Sequence, residues 1–378
     1  MRIGYEITSV GAQSSGVGTY ALQLLLGMAA VESANEYLLF SNRPHHRQEL
    51  AATPGVRDLA RPFPSRMLWM QLALPAQLGA ERPDICHYPN SIGPLRSPVP
   101  YVVTIHDMTL SLMPGHHPWR KQLLVRPLIP LVARRAAHVI TVSTQARADI
   151  VRILRVPPGR VTVIPEAAAA HFRPVPGEEQ ERARARYGLR RPYVLYIGTL
   201  EPRKNLVRLI RAWHSLRRRG EVPHQLVIVG APGWQYRPIY EEARALGCAD
   251  EIVFTGYLPR GDLPALYSAA DAFAFPSLAE GFGLPVVEAM ACGTPVLISD
   301  TPALREVAGE AAVRVDPRSV EAIADGLGLL LGDRELHDRL GAAGLARAAS
   351  FSWQRAARDT LAVYRAALAA RAATLAPA

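Results

Sequence analysis

What most limits the fold of this chain is a rhythm: short apolar segments, each sized for one strand, recur with a helical stretch behind them. That alternation is the pattern of a parallel sheet covered by helices, because parallel neighbours need a long crossover between them. The first unit is Arg2–Ile7, the loop from Val10 to Gly18, and an apolar helix from Tyr20. Val99–Ile105, ending in His106-Asp107, repeats it, as does His138–Val142 followed by Ser143, a cap for a helix starting near Thr144. Val161–Ile164, before Pro165, is a further short strand. The texture breaks at Arg173-Pro-Val-Pro-Gly177 and the polar stretch Glu178–Arg191, which reads as a linker. The rhythm restarts at Tyr193–Gly198 and runs through Gln225–Val229, Ile252–Thr255, Ala272–Phe275, Pro295–Ile298 and Ala312–Val315 to a helical tail, Phe351–Ala373. The expectation is an α/β protein of two Rossmann-like, doubly wound domains, 1–175 and 176–378. Ligands are then expected at the carboxyl ends of the strands, in a cleft between the halves.

Composition narrows the class. Of 378 residues, 49% are hydrophobic and 20% charged, a globular balance that excludes a disordered or fibrous chain. Cys86, Cys248 and Cys292 are scattered without a CxxC pair, so neither a disulfide framework nor a zinc module is expected. No run reaches the roughly 18 apolar residues of a membrane span, and Glu6 interrupts the opening where a secretory signal needs apolar residues. A soluble, cytoplasmic protein is expected. The charge is uneven: residues 1–173 hold 18 basic and 10 acidic side chains, the remainder 25 and 23. Most of that excess reads as solvated arginine. Trp119–His138 is different, because Arg120, Lys121, Arg126, Arg134 and Arg135 interleave with leucines and valines as in a basic surface helix, kinked or broken at Pro127 and Pro130. Peripheral contact with an anionic membrane at its inner face is the expectation this raises.

The chemistry concentrates in Pro276-Ser-Leu-Ala-Glu280-Gly-Phe-Gly-Leu-Pro-Val-Val-Glu288-Ala-Met-Ala-Cys-Gly293-Thr-Pro295, directly after an apolar strand. Gly281 and Gly283 clear the turn, Pro285 suits a first helical turn, and a helix over about Leu284–Ala291 points free N–H groups at an anion. Glu280 lies just ahead of that helix and Glu288 about one turn into it, so both can accept bonds from hydroxyls. A diphosphate flanked by hydroxyl-rich groups, a nucleotide sugar, is the ligand this implies. Gly198-Thr-Leu-Glu-Pro-Arg203-Lys204-Asn205 follows another strand of the same half, with a guanidinium fork and a compact ammonium for a diphosphate. The Gly16-Val-Gly18 loop permits close approach of a substrate. Taken alone, Glu280 and Glu288 could be a cap and an exposed helix residue, which leaves the glycine pair unexplained, and His106 could equally be a core histidine. Cys292 reads as plain core. Trp234 and Tyr236 read as loop packing or as a platform for a base.

With YIGTLEPRKNL, LVIVGAPGW, VFTGYLPRGDLPALYSAADAFAFPS, TIHDM and the Glu280–x7–Glu288 spacing inside EGFGLPVVEAMACGTPV, the whole chain resembles the retaining nucleotide-sugar glycosyltransferases of family 4. That resemblance implies the GT-B fold, with the terminal helix packing back on the amino-terminal domain. Arg203 and Lys204 would neutralise the donor diphosphate and Glu288 would bind ribose hydroxyls. Glu280 would contact the transferred sugar, with Gly281, Phe282, Gly283 and Leu284 offering backbone donors. Gly198 would approach the donor, Tyr257 and Leu258 would border the base, and Gly16 and His106 would come from the acceptor half, His106 near the reacting sugar. The resemblance implies no side-chain nucleophile, because the leaving phosphate helps deprotonate the acceptor. The chain has no Asp-x-Asp, and no metal or other cofactor is expected.

The expected partners are a nucleotide-sugar donor carrying a hexose, with a lean to mannose, and a saccharide, lipid-linked or small-molecule acceptor; no nucleic acid is expected. Two departures from the family stand out: Pro165-Glu166-Ala167 replaces a common Pro-Asn-Gly, and Thr199 replaces a common arginine after Gly198. Competing readings are a GT-B epimerase or phosphorylase and a nicotinamide-dependent oxidoreductase. The last is disfavoured because no G-x-G-x-x-G follows either opening strand.

Overall fold

The computed structural model describes residues 1–11, 16–45, 48–189 and 192–375. Among the described residues the strands form two all-parallel sheets. The first contains β1 (Arg2–Glu6), β2 (Glu36–Phe40), β3 (Val56–Asp58), β4 (Ile85–Tyr88), β5 (Tyr101–Thr104), β6 (His138–Thr141) and β7 (Val161–Val163) in the order β3-β2-β1-β4-β5-β6-β7. The second contains β8 (Tyr193–Ile197), β9 (Gln225–Val229), β10 (Ile252–Gly256), β11 (Ala272–Phe275), β12 (Val296–Ser299) and β13 (Ala312–Val315) in the order β10-β9-β8-β11-β12-β13. Each is a doubly wound Rossmann order. In each, the winding reverses beside the opening strand, between β1 and β4 and between β8 and β11, and such a switch point is where open sheets bind ligands.

The strands are apolar on both faces, as helix-covered parallel strands must be: Ile3, Tyr5, Leu38, Val103, Val194, Val227, Ile228 and Phe273 are all buried. β2, β3 and β4 were not among the strands expected, the last two for separate reasons. Val56–Asp58 is a short edge strand with two exposed residues, and Ile85–Tyr88 carries His87, a polar residue that is nonetheless fully buried.

Contacts divide the chain into two compact units, Met1–Glu166 with Ser352–Ala378, and Ala167–Phe351. The boundary falls at Glu166, ahead of the expected 175. The tail, counted with the second domain by its place in the sequence, packs on the first unit as the resemblance implied. Its helix, Trp353–Leu375, lies along the Gly16–Val31 helix, and Gly27 makes that approach close: a Cβ there would sit 3.0 Å from the Trp353 carbonyl oxygen. Tyr364 of the tail reaches His87 Nδ1 at 2.6 Å, and His87 Nε2 meets Thr104 Oγ1 at 2.7 Å. Burial pushes His87 down to about 3, so the ring is neutral there.

One further expectation changes, and the break expected at Pro127 is present. Glu178–Arg191 is not an open linker, because Gly177–Arg186 is a helix with Glu178 and Glu179 in its first turn and Arg184 and Arg186 in its last, the charge order that suits the helix dipole. Trp119–His138 is two helices, Trp119–Leu124 and Leu128–Arg135; Pro130 sits in the first turn of the second, where its missing N–H costs no helical bond, and His138 opens β6. The cap at Ser143 is as expected, its hydroxyl accepting from Ala146 N at 3.1 Å.

Candidate active site

In the second unit the switch point gathers the charged residues that the sequence singled out. Arg203 and Lys204 lie in the short turn Pro202–Lys204 after β8, and Glu280 lies in the loop after β11. Asn205 locks that turn. It takes the left-handed conformation (φ 63°), and its amide donates to the Pro276 and Pro317 carbonyls at 2.9 and 2.6 Å. Leu278 N bonds the Arg203 carbonyl at 2.9 Å, which ties the two loops together.

The side chains then meet directly. Lys204 Nζ is 2.7 Å from Glu280 Oε1, and Arg203 is 3.0 Å from Glu280 Oε2. Arg203 also bonds Glu201 Oε1 and the Ala279 carbonyl, each at 2.7 Å. All three central side chains are about a tenth exposed, so the charges are weakly screened. Burial opposes ionisation of Glu280, yet Arg203 and Lys204 hold its carboxyl down at about 2. Burial and the neighbouring Arg203 in turn lower Lys204, against the pull of Glu280. The Lys204 ammonium lies over the face of Phe275, 5.0 Å from the ring centre.

After Glu280 the chain turns at Gly283 (φ 104°), where a Cβ would meet Leu304 at 2.6 Å, and Leu284–Ala291 begins its helix at once. Gly281, Phe282 and Leu284 are buried around that turn, with Phe282 edge-on to Phe351. Glu288 lies within the helix and is 2% exposed. Arg260 reaches its Oε1 at 2.5 Å and the Tyr267 hydroxyl donates to its Oε2 at 3.2 Å. Burial, then the Glu288 charge, raise the Tyr267 phenol far above its usual value, which keeps it a donor. The two carboxylates therefore have separate partners, Glu280 a diphosphate-type cation pair and Glu288 an arginine and a phenol. Tyr257 is half-buried and Leu258 nearly buried just past β10, and Gly198 ends β8. Beyond this cluster, Leu278, Asp300, Thr301, Asp316, Pro317 and Arg318 line a pocket of about 230 Å³ at the ends of β11, β12 and β13.

In the first unit, His106 follows β5 as expected, but its ring is already engaged. Nδ1 lies 3.0 Å from Glu166 Oε1 and Nε2 3.0 Å from the Pro89 carbonyl oxygen. Both ring nitrogens therefore have partners within the first unit. Gly16 is exposed at the start of its helix, while Ala12–Ser15 of the same loop lie outside the described residues. Cys292 is buried, and Tyr236 packs edge-on to Tyr240. Sequence reasoning missed Glu166, Glu201, Arg260 and Tyr267. Glu166 was visible only as a departure from a familiar turn, and Arg260 only as a basic residue two positions past Leu258 in a motif of the resemblance.

Two doubly wound parallel sheets, the second with a cation–carboxylate cluster at its switch point, define a Rossmann-type ligand-binding class, and comparison with known proteins gives the family. Residues 178–347 match the glycosyl transferases group 1 family and residues 14–168 the glycosyltransferase family 4 domain. The chain is 30% identical to O-antigen chain mannosyltransferase B of Escherichia coli over 97% of this chain and all of that protein. It is 36% identical to the MMP alpha-(1->4)-mannosyltransferase of Mycolicibacterium hassiacum over 72% of this chain and 67% of that one. Sucrose-phosphate synthase from Thermosynechococcus elongatus matches 98% of the fold at a TM-score of 0.77 and 23% identity, covering all of that chain. Anabaena HepE in complex with UDP and glucose matches 97% at 0.78 and 20%, again covering all of that chain. The protein belongs to glycosyltransferase family 4 and has the GT-B fold.

Proposed function

We propose that this glycosyltransferase retains configuration and moves a hexose, mannose in first place, from a nucleoside diphosphate to a saccharide or lipid-linked acceptor. The observation that carries the reading is the Arg203–Lys204–Glu280 cluster at the β8/β11 switch point. Two cations and the amino end of the Leu284–Ala291 helix supply what a diphosphate needs, and a carboxylate beside them supplies an acceptor for sugar hydroxyls. The named mannosyltransferase relatives support mannose. Arg203, Lys204 and the helix end stand in for a metal, so the reaction is read as metal-independent. Glu288, held in place by Arg260 and Tyr267, is the acceptor assigned to ribose hydroxyls. Tyr257 and Leu258 are the residues assigned to the base, and Gly16 and His106 to the reacting end.

No described helix is long and apolar enough to cross a membrane. We read the Trp119–Leu124 and Leu128–Arg135 helices as a peripheral contact with an anionic leaflet. Trp119 and Leu123 are more than 60% exposed beside Arg120, Lys121 and Arg126. The decisive experiment is a hydrolysis screen of GDP- and UDP-hexoses without acceptor, in excess EDTA. Release of nucleoside diphosphate from one donor supports the reading. Release that requires added magnesium or manganese, or none from any donor, contradicts it.

A further inference from the structure

The contacts of His106 define its chemistry more tightly than its position does. The Pro89 carbonyl oxygen can only accept, so Nε2, 3.0 Å away, carries a proton. The Glu166 carboxylate also accepts, so Nδ1, again 3.0 Å away, carries the other. A ring with protons on both nitrogens is an imidazolium. We propose that Glu166 is a positioning residue that keeps His106 a permanent cation during sugar transfer, so that the ring acts as a fixed charge and never as the base.

The surroundings support that assignment. Glu166 stands at the end of the first unit, just past β7, where Ile164 N bonds the Thr141 carbonyl and fixes the segment. Its side chain is 7% exposed against 13% for His106, so both members of the pair are shielded from water. The groups that face the ring are Tyr20 from the Gly16–Val31 helix, 4.6 Å away and edge-on, the adjacent Asp107, and His87 from β4, which is neutral. Burial opposes the charge on the ring, and Glu166, with the Pro89 carbonyl and Asp107 in support, outweighs it and raises the ring above its ordinary value. No proton moves on the ring in this scheme. The acceptor's proton must go elsewhere, which agrees with its passing to the departing phosphate, and the fixed cation stabilises charge that develops at the carboxyl end of the sheet. The inference rests on the proposed reading of His106 as a residue of the reacting end.

The test is ¹⁵N NMR of the histidine rings in the full-length protein, run beside transfer assays from pH 6 to pH 8.5. His106 should show two N–H groups at pH 8 in the wild type. In Glu166→Gln it should lose one with a midpoint below the ordinary histidine value of about 6.5, because burial then acts without the opposing carboxylate. Transfer by Glu166→Gln should fall roughly tenfold at pH 8 and recover in part at pH 6, where the ring begins to recharge. A singly protonated wild-type ring at pH 8, an unchanged ring in Glu166→Gln, or a loss of transfer that is flat with pH overturns the proposal. His106→Asn separates the underlying reading: wild-type transfer in that variant removes His106 from the reaction, while the NMR result still reports the state of the ring.

Discussion

Lys204 and Glu280 stand 76 residues apart in the chain, yet Nζ and Oε1 are 2.7 Å apart at the point where the second sheet reverses its winding. With Arg203 at 3.0 Å on the other oxygen, one carboxylate bridges both cations assigned to the donor diphosphate, and Glu201 holds Arg203 from a second side. An incoming diphosphate must therefore share those cations with Glu280.

Glu280→Gln should separate binding from catalysis. The free nucleoside diphosphate should bind several-fold more tightly, because Arg203 and Lys204 lose an internal counter-ion, while transfer falls about 10²-fold with the loss of the sugar contact. Calorimetry and transfer rates on the same preparation decide it. Weaker diphosphate binding would show that Glu280 positions the cations rather than competing for them.

The same variant has an acid signature. Because Glu280 titrates at about 2 when folded and near the ordinary carboxylate value of about 4.3 when unfolded, its charge stabilises the protein above that value, and the gain disappears as the pH falls toward 2. The melting temperature of wild type should exceed that of Glu280→Gln at pH 7, and the gap should narrow steadily below about pH 4.5. A gap that is constant with pH would mean that the pair contributes packing alone.

Glu288→Ala should weaken nucleotide binding by about 1–3 kcal/mol, the range for losing a charged hydrogen-bond acceptor. Arg260→Ala should reproduce much of that loss, since Arg260 holds one carboxylate oxygen at 2.5 Å. A 2′,3′-dideoxyribose diphosphate should bind wild type and both variants alike. If the variants discriminate against it as wild type does, the ribose assignment fails.

Tyr364→Phe removes the hydroxyl that meets His87 at 2.6 Å in the core of the first unit. A buried group left without its partner costs about 1–3 kcal/mol. Scanning calorimetry should show one transition lowered by several degrees, with nucleotide affinity unchanged. An unmoved melting profile would mean that the tail helix is held by its apolar contacts alone.

Anionic vesicles should sediment the protein at low salt and release it at high salt, while neutral vesicles should not bind it. Each basic residue near such a leaflet contributes only about 1 kcal/mol, so Arg120→Ala/Lys121→Ala/Arg126→Ala should lower binding sharply. Equal sedimentation with neutral vesicles would assign the patch to apolar contact.

Much of this was legible in the sequence because local rules agree there. Apolar strands followed by helices gave the second sheet and four of the seven strands of the first, Ser143 announced its helix, and the glycine–proline turn around Gly283 and Pro285 gave the Leu284–Ala291 helix within its observed bounds. The failures come from long-range terms. Nothing local says that Glu280 will close on Lys204, that Arg260 will reach Glu288, or that Tyr364 will return to β4. His106 was placed correctly after its strand, and its partner Glu166, 60 residues away, was not foreseen. Val56–Asp58 is too short and too polar to announce itself, and the Gly177–Arg186 helix was hidden by a charged composition that a linker would share.

The central claim is that Arg203 and Lys204 recognise a diphosphate, and titration of wild type with nucleoside diphosphate against the matching monophosphate tests it most directly. Charge-assisted bonds of about 1.5–3 kcal/mol predict a preference of roughly 10- to 100-fold for the diphosphate. Arg203→Ala/Lys204→Ala should abolish the preference and leave monophosphate affinity nearly unchanged. Equal affinity of the wild type for the two nucleotides, or a preference that survives in a folded double variant, would contradict the account.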